Sequence, residues 1–142
     1  PQLLLPRSRA APVSARVASR PIGLDVAPDG ALSPAENWPP RFGFDAVRLP
    51  LYLAWAGHAD RADLDVYRAA WRKTDPPPAW FDLTGADTTD HAASQGVLAI
   101  RALIEGRRPG PALLWPAVGL GDYYAASLAL LAALAADERG LR

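Results

Sequence analysis

Fifteen prolines in 142 residues, bunched rather than scattered, decide where this chain can be helical. Proline lacks a backbone donor, its ring collides with the preceding turn, and it biases the residue before it away from helical geometry. The stretches "SPAENWPPRFG" (33–43) and "DPPPAW" (75–80) are therefore expected as shaped, non-helical connections. Four windows between and beyond them carry helical periodicity. The first covers about 44–57, with Pro50 tolerable only near a first turn or at a kink. In the second, 61–73, Leu64, Tyr67 and Trp71 recur at intervals of three and four, while Arg61, Asp65, Arg68 and Arg72 take other positions. The third, 92–105, carries Val97, Ile100 and Ile104 on one stripe. The fourth, 122–138, is almost entirely alanine and leucine after "DYY", as expected of a helix buried on most sides.

Strand signals are minor. "IGLDVAPDGAL" (22–32) places two apolar runs around a Pro-Asp-Gly turn and predicts a small hairpin or an irregular loop, and "WFDLTG" (80–85) predicts a short extended piece. Residues 86–90 read as polar loop. Residues 1–20 hold one short helix at best, across "VSARVASR", and are expected to be a poorly ordered, frayed segment ahead of a folded unit at 21–142. The class that results is all-α, an array of helical hairpins with minor β pieces.

Half of the residues are hydrophobic, enough for one globular domain with a real core. Fifteen basic side chains balance fifteen acidic ones, so no overall field favours nucleic acid, and the expected partner is neutral or locally recognised. Cysteine is absent, and His58 and His91 stand far apart without ligand spacing, so neither a metal nor another cofactor is expected. "LLL" at 3–5 is too short for a signal-peptide core or a membrane span. The four arginines before Asp25 superficially suggest a transit peptide, but with Pro1 as first residue the frayed end of a truncated domain is the more ordinary reading.

"RFGFDAVRLP" (41–50) holds the candidate chemistry. Asp45 and Arg48 are spaced i, i+3 on one helical face, which fits an acid favoured by the helix dipole and paired to a neighbouring arginine. It fits equally a carboxylate beside a cleft, serving as general base toward a water. Spacing alone does not choose between the two.

The wider segment "NWPPRFGFDAVRLPLYLAWAG" resembles the region around the catalytic base of glycoside hydrolase family 8, especially its bacterial cellulose-synthesis endoglucanases. "RAAWRKTDPPPAWFDLTGA" resembles the outer helix and extended segment that follow, and "GDYYAASLALLAALA" the final inner helix, so that the resemblance runs over about 21–138. It implies an incomplete (α/α)6 barrel, the C-terminal portion of an inverting endo-β-1,4-glucanase acting on cellulose or cello-oligosaccharides, and a periplasmic or secreted location. Asp45 matches the base and Arg48 the arginine that fixes it, while Phe44 stands where many members carry tyrosine. Inversion needs two carboxyl groups about 6.5–9.5 Å apart. The family's acid is a glutamate in the first inner-helix region, and none of Glu36, Glu105 and Glu138 stands in that context, so the chain is expected to lack the acid and to be inactive alone.

Around the base, Trp38 and Arg41 are candidates for contact with sugar, as are Tyr123 and Tyr124 at the start of the last helix, where Asp122 reads as an N-cap. Trp55, Trp71 and Trp80 read as core, and His58 and His91 as surface. Two further readings belong to other classes: a non-catalytic helical module that binds glucan or protein, and a degenerate remnant that self-associates through an exposed apolar face.

Overall fold

A proline near the start of the first helix window shapes how it folds. Pro50 cannot donate to Ala46, and its ring crowds that carbonyl, so residues Phe44–Val47 wind as a 3₁₀ turn and the α-helix α1 begins only at Arg48, running to Trp55. The computed structural model describes residues 24–26, 28–29, 32–34, 41–58, 62–82, 89, 91–114 and 122–142. Within them, strands β1 (Leu24–Val26) and β2 (Leu32–Pro34) form the small antiparallel hairpin foreseen around Pro-Asp-Gly. Strand β3 (Arg41–Phe42) leads into the 3₁₀ turn, and α1 is followed by α2 (Ala62–Trp71), β4 (Phe81–Asp82), α3 (Gln95–Ile104) and α4 (Tyr123–Glu138). The helices foreseen from periodicity are all present, each beginning one to four residues later and, except for α4, ending one or two residues earlier. "VSARVASR" lies outside the described residues.

Strands β3 and β4 pair antiparallel, with Phe42 opposite Phe81, so the α1–α2 hairpin leaves and returns to the same place. The two rings stack with centroids 5.0 Å apart. Tyr67 and Trp71, one turn apart on the inward face of α2, close on Phe42 at 5.3 and 5.8 Å. These four rings form an aromatic plug at the neck of the hairpin, in the tilted and offset arrangements that ring quadrupoles favour.

Helix α3 is apolar on nearly every side: Val97, Ala99, Ile100, Ala102, Leu103 and Ile104 are all buried. Each large aliphatic side chain there contributes about 1.5–3 kcal/mol by leaving water. Its partner α4 buries mainly alanines together with Leu128, and small side chains let two backbones approach closely. Gly96 is a point of close approach, because a Cβ on it would lie 2.6 Å from the Ala125 carbonyl oxygen and 2.8 Å from Leu128 Cβ.

Caps fix the ends. Ser94 accepts from Val97 N–H at the start of α3, and Asp122 from Ala125 N–H at the start of α4, the N-cap expected of it. At the other end of α3 the Arg68 guanidinium donates to the Ile104 carbonyl at 2.8 and 2.6 Å. The chain then turns at Gly106, whose φ of 76° a side chain would strain. Helices α1 and α4 run side by side in the same direction, since Asp45 meets Tyr124 near their starts and the Trp55 indole N–H donates to Glu138 at their ends. No helix among the described residues is long and apolar enough to cross a membrane.

Candidate active site

The parallel run of α1 and α4 brings together residues far apart in the chain. Arg48 Nη2 lies 3.4 Å from Asp45 Oδ1. Tyr124, in the first turn of α4, sets its hydroxyl 3.5 Å from the same oxygen. The Arg48 guanidinium lies over the Tyr124 ring, 5.3 Å from its centroid. Both polar contacts are long, as hydrogen bonds around unliganded reactive groups often are.

The Arg48 and Asp45 side chains are 45% and 61% exposed, and an ion pair so open to water contributes only about 0–1 kcal/mol. The Tyr124 phenol titrates above its ordinary value: burial pushes it up, Arg48 draws it back, and the negative Asp45 pushes it up again. The phenol thus senses both charged neighbours. Tyr123, beside it, is 85% exposed and unconstrained enough to meet a ligand.

On the approach to the turn, the Arg41 guanidinium, on an exposed residue, stacks 3.9 Å above the Trp80 ring. Gly43 permits this, because a Cβ there would come within 2.7 Å of Trp80 Cβ. Trp80 is accordingly a half-buried platform and not core. Trp55, also half-buried, packs against the core while its indole donates to Glu138 at 2.6 Å, and Trp71 is core as expected. His91 is exposed and His58 half-buried. Trp38 and Glu36 lie outside the described residues, and Phe44 is described in its backbone only.

Two glutamates, Glu105 and Glu138, lie among the described residues. Burial pushes the Glu105 carboxyl up, but Arg107 at 2.6 Å, with Arg101 and Arg72, outweighs it and holds the group below its ordinary value. Glu138 accepts a hydrogen bond from the Trp55 indole N–H. Among the described residues, no three His, Asp or Glu side chains gather as a metal site would require.

The arrangement offers one exposed carboxylate, steadied from two helices, with aromatic and cationic groups along its approach. The sequence singles out Asp45, Arg48 and Tyr124 separately, and nothing local shows that residues 79 apart converge. The pairing of Arg41 with Trp80 went unforeseen for the same reason.

No protein-family profile matches the chain. It is 34% identical over 117 residues to a "Probable endoglucanase" of Novacetimonas hansenii, covering 80% of this chain and 33% of that protein. It is 36% identical over 81 residues to an "Endoglucanase" of Cellulomonas uda, covering 55% of this chain and 22% of that protein. The chain thus spans a third or less of the curated relatives it matches. Among solved structures, a family 8 endo-β-1,4-glucanase from an Achatina fulica gut metagenomic library superposes with a TM-score of 0.73 at 31% identity, over 88% of this chain and 42% of that one. The endo-β-1,4-glucanase of Acetobacter xylinum gives 0.70 at 31%, over 90% and 43%. Helices, order and sequence agree together across most of the chain, and it therefore belongs to glycoside hydrolase family 8, its described helices forming part of an (α/α)6 barrel.

Proposed function

We propose that the chain is the C-terminal portion of an inverting endo-β-1,4-glucanase of the type associated with bacterial cellulose synthesis, supplying the general base and one wall of the glucan cleft. The observation that carries this is the convergence of Arg48 and Tyr124 on Asp45 at the joined ends of α1 and α4. In the reaction, the Asp45 carboxylate takes a proton from water as the water oxygen bonds to the anomeric carbon and the glycosidic C–O bond breaks. The departing oxygen needs a proton from a second carboxyl group. Glu105 and Glu138 are engaged elsewhere, so that acid is expected from another part of the barrel. Arg41 on Trp80, with Tyr123, Trp38 and Phe44, would line the approach of a β-1,4-linked glucan.

Without an acid partner, hydrolysis should fall by about 10²–10⁴-fold. Purified chain and its Asp45→Asn variant should release the same background of reducing sugar from carboxymethylcellulose. Co-expression with the N-terminal half of a family 8 relative should restore hydrolysis, and Asp45→Asn should remove it. Robust hydrolysis by the chain alone, lost on Asp45→Asn, would mean that an acid lies within it, and Glu36→Gln would be the variant to make next. Restored hydrolysis that survives Asp45→Asn would end the assignment of the base.

A further inference from the structure

The two donors around Asp45 meet the same atom. Arg48 Nη2 and the Tyr124 hydroxyl lie 3.4 and 3.5 Å from Oδ1. Among the described residues, no group bonds to Oδ2. The side chain is 61% exposed, so the carboxylate as a whole is open to water.

Resting on the reading of Asp45 as base, we propose that Tyr124 is a positioning residue which, with Arg48, anchors Oδ1 of Asp45 and so makes Oδ2 the oxygen that takes the proton from water. Either donor alone would leave the carboxylate free to rotate about its Cβ–Cγ bond. Arg48 is only three residues away on the same turn, so it moves whenever that turn moves. Tyr124 belongs to a different element, and α4 is held at this end by the Asp122 cap and by the close seat of Ala125 and Leu128 against Gly96. Two anchors on one oxygen from two helices fix the orientation of the other, which is the geometric demand of a general base. The ring of Tyr124 is covered on one face by the Arg48 guanidinium, so that face is closed to a sugar. This distinguishes Tyr124 from Tyr123, whose ring is free. The raised titration of the Tyr124 phenol, with burial first and Arg48 and Asp45 in opposition, is the electrical counterpart of the same contacts.

The test uses the isolated chain labelled with ¹³C at tyrosine Cζ, so that each phenol is titrated separately by NMR, with Tyr124 assigned by its loss in Tyr124→Phe. Asp45→Asn removes the negative neighbour and should move the Tyr124 midpoint down. Arg48→Met removes the positive one and should move it up. Asp45→Ser provides the same reading should the amide variant fold poorly, and Tyr123 is the internal control that neither change should move. A Tyr124 midpoint indifferent to both substitutions overturns the proposal. This outcome is separable from failure of the base assignment. Loss of restored hydrolysis in Asp45→Asn without coupling to Tyr124 refutes the anchoring alone. Coupling together with hydrolysis that survives Asp45→Asn refutes the base, and with it the role given to Oδ2.

Discussion

Replacing Gly96 by alanine should destabilise the chain, although alanine is the better helix former. Two opposing effects can be weighed. Alanine gains about 1 kcal/mol over glycine in a helix interior, and less at Gly96, the second residue of α3. Against this, the new Cβ would stand 2.6 Å from the Ala125 carbonyl oxygen and 2.8 Å from Leu128 Cβ, neither of which is the movable end of a long side chain. Relaxed carbon contacts are about 3.5–4.0 Å, so α3 and α4 must part by roughly 1 Å, a gap that forfeits a quarter to a half of each dispersion contact across it. Overpacking of this kind costs about 1–3 kcal/mol. The net expectation is a loss of up to about 2 kcal/mol, or up to roughly 8 °C in Tm for a chain of this size. Gly110→Ala is the control, since nothing lies within 4 Å of the Cβ it would add. Thermal unfolding followed by circular dichroism reads both. Gly96→Ala melting at or above the parent would show that the helices are not in the close approach from which the magnitude follows.

Glu105 should make stability depend on acid pH. Its folded carboxyl titrates below the ordinary value of 4.5, so its contribution is present above that value and is lost as pH falls through the lower, folded value. The Tm difference between pH 7 and pH 3 should therefore shrink in Glu105→Gln, and an unchanged difference would remove the group from the acid response. Leu130 and Leu134, 54% and 47% exposed and one turn apart on α4, present an apolar stripe. Sedimentation should show concentration-dependent self-association that Leu130→Glu with Leu134→Glu abolishes, and a monomer at every concentration would refute it.

Helices were legible from the sequence because each has its own periodic signal and its own breaker. Leu64, Tyr67 and Trp71 announce the buried face of α2, and Pro76–Pro78 end its reach. The resemblance around "RFGFDAVRLP" placed Asp45 and Arg48 where the fold puts them, at the entrance of α1. What stayed hidden depends on which helix lies beside which. Trp55 and Trp80 look like core because they sit in apolar surroundings, yet each uses its ring or its N–H to hold a charged residue: Glu138 for the first, Arg41 for the second. Tyr124 could be named as interesting, but its partner could not, because a hydroxyl 79 residues from a carboxylate meets it only after α1 and α4 align. The 3₁₀ turn escaped for a local reason: Pro50 was recognised as disruptive, while its effect falls four residues earlier.

The two-residue ladder between β3 and β4 has a consequence for how this part of the fold can vary. Because Phe42 and Phe81 face one another, the whole α1–α2 excursion is a detour whose entrance and exit coincide. Asp45 stands three residues inside the entrance, whereas the bend joining the helices lies at the far end, about 12 Å along α1 at the usual 1.5 Å rise per residue. Insertions or deletions at that bend would lengthen or shorten the detour without moving the doorway. The chain can thus change the reach of this arm, and whatever its tip touches, independently of the spot where the carboxylate is presented.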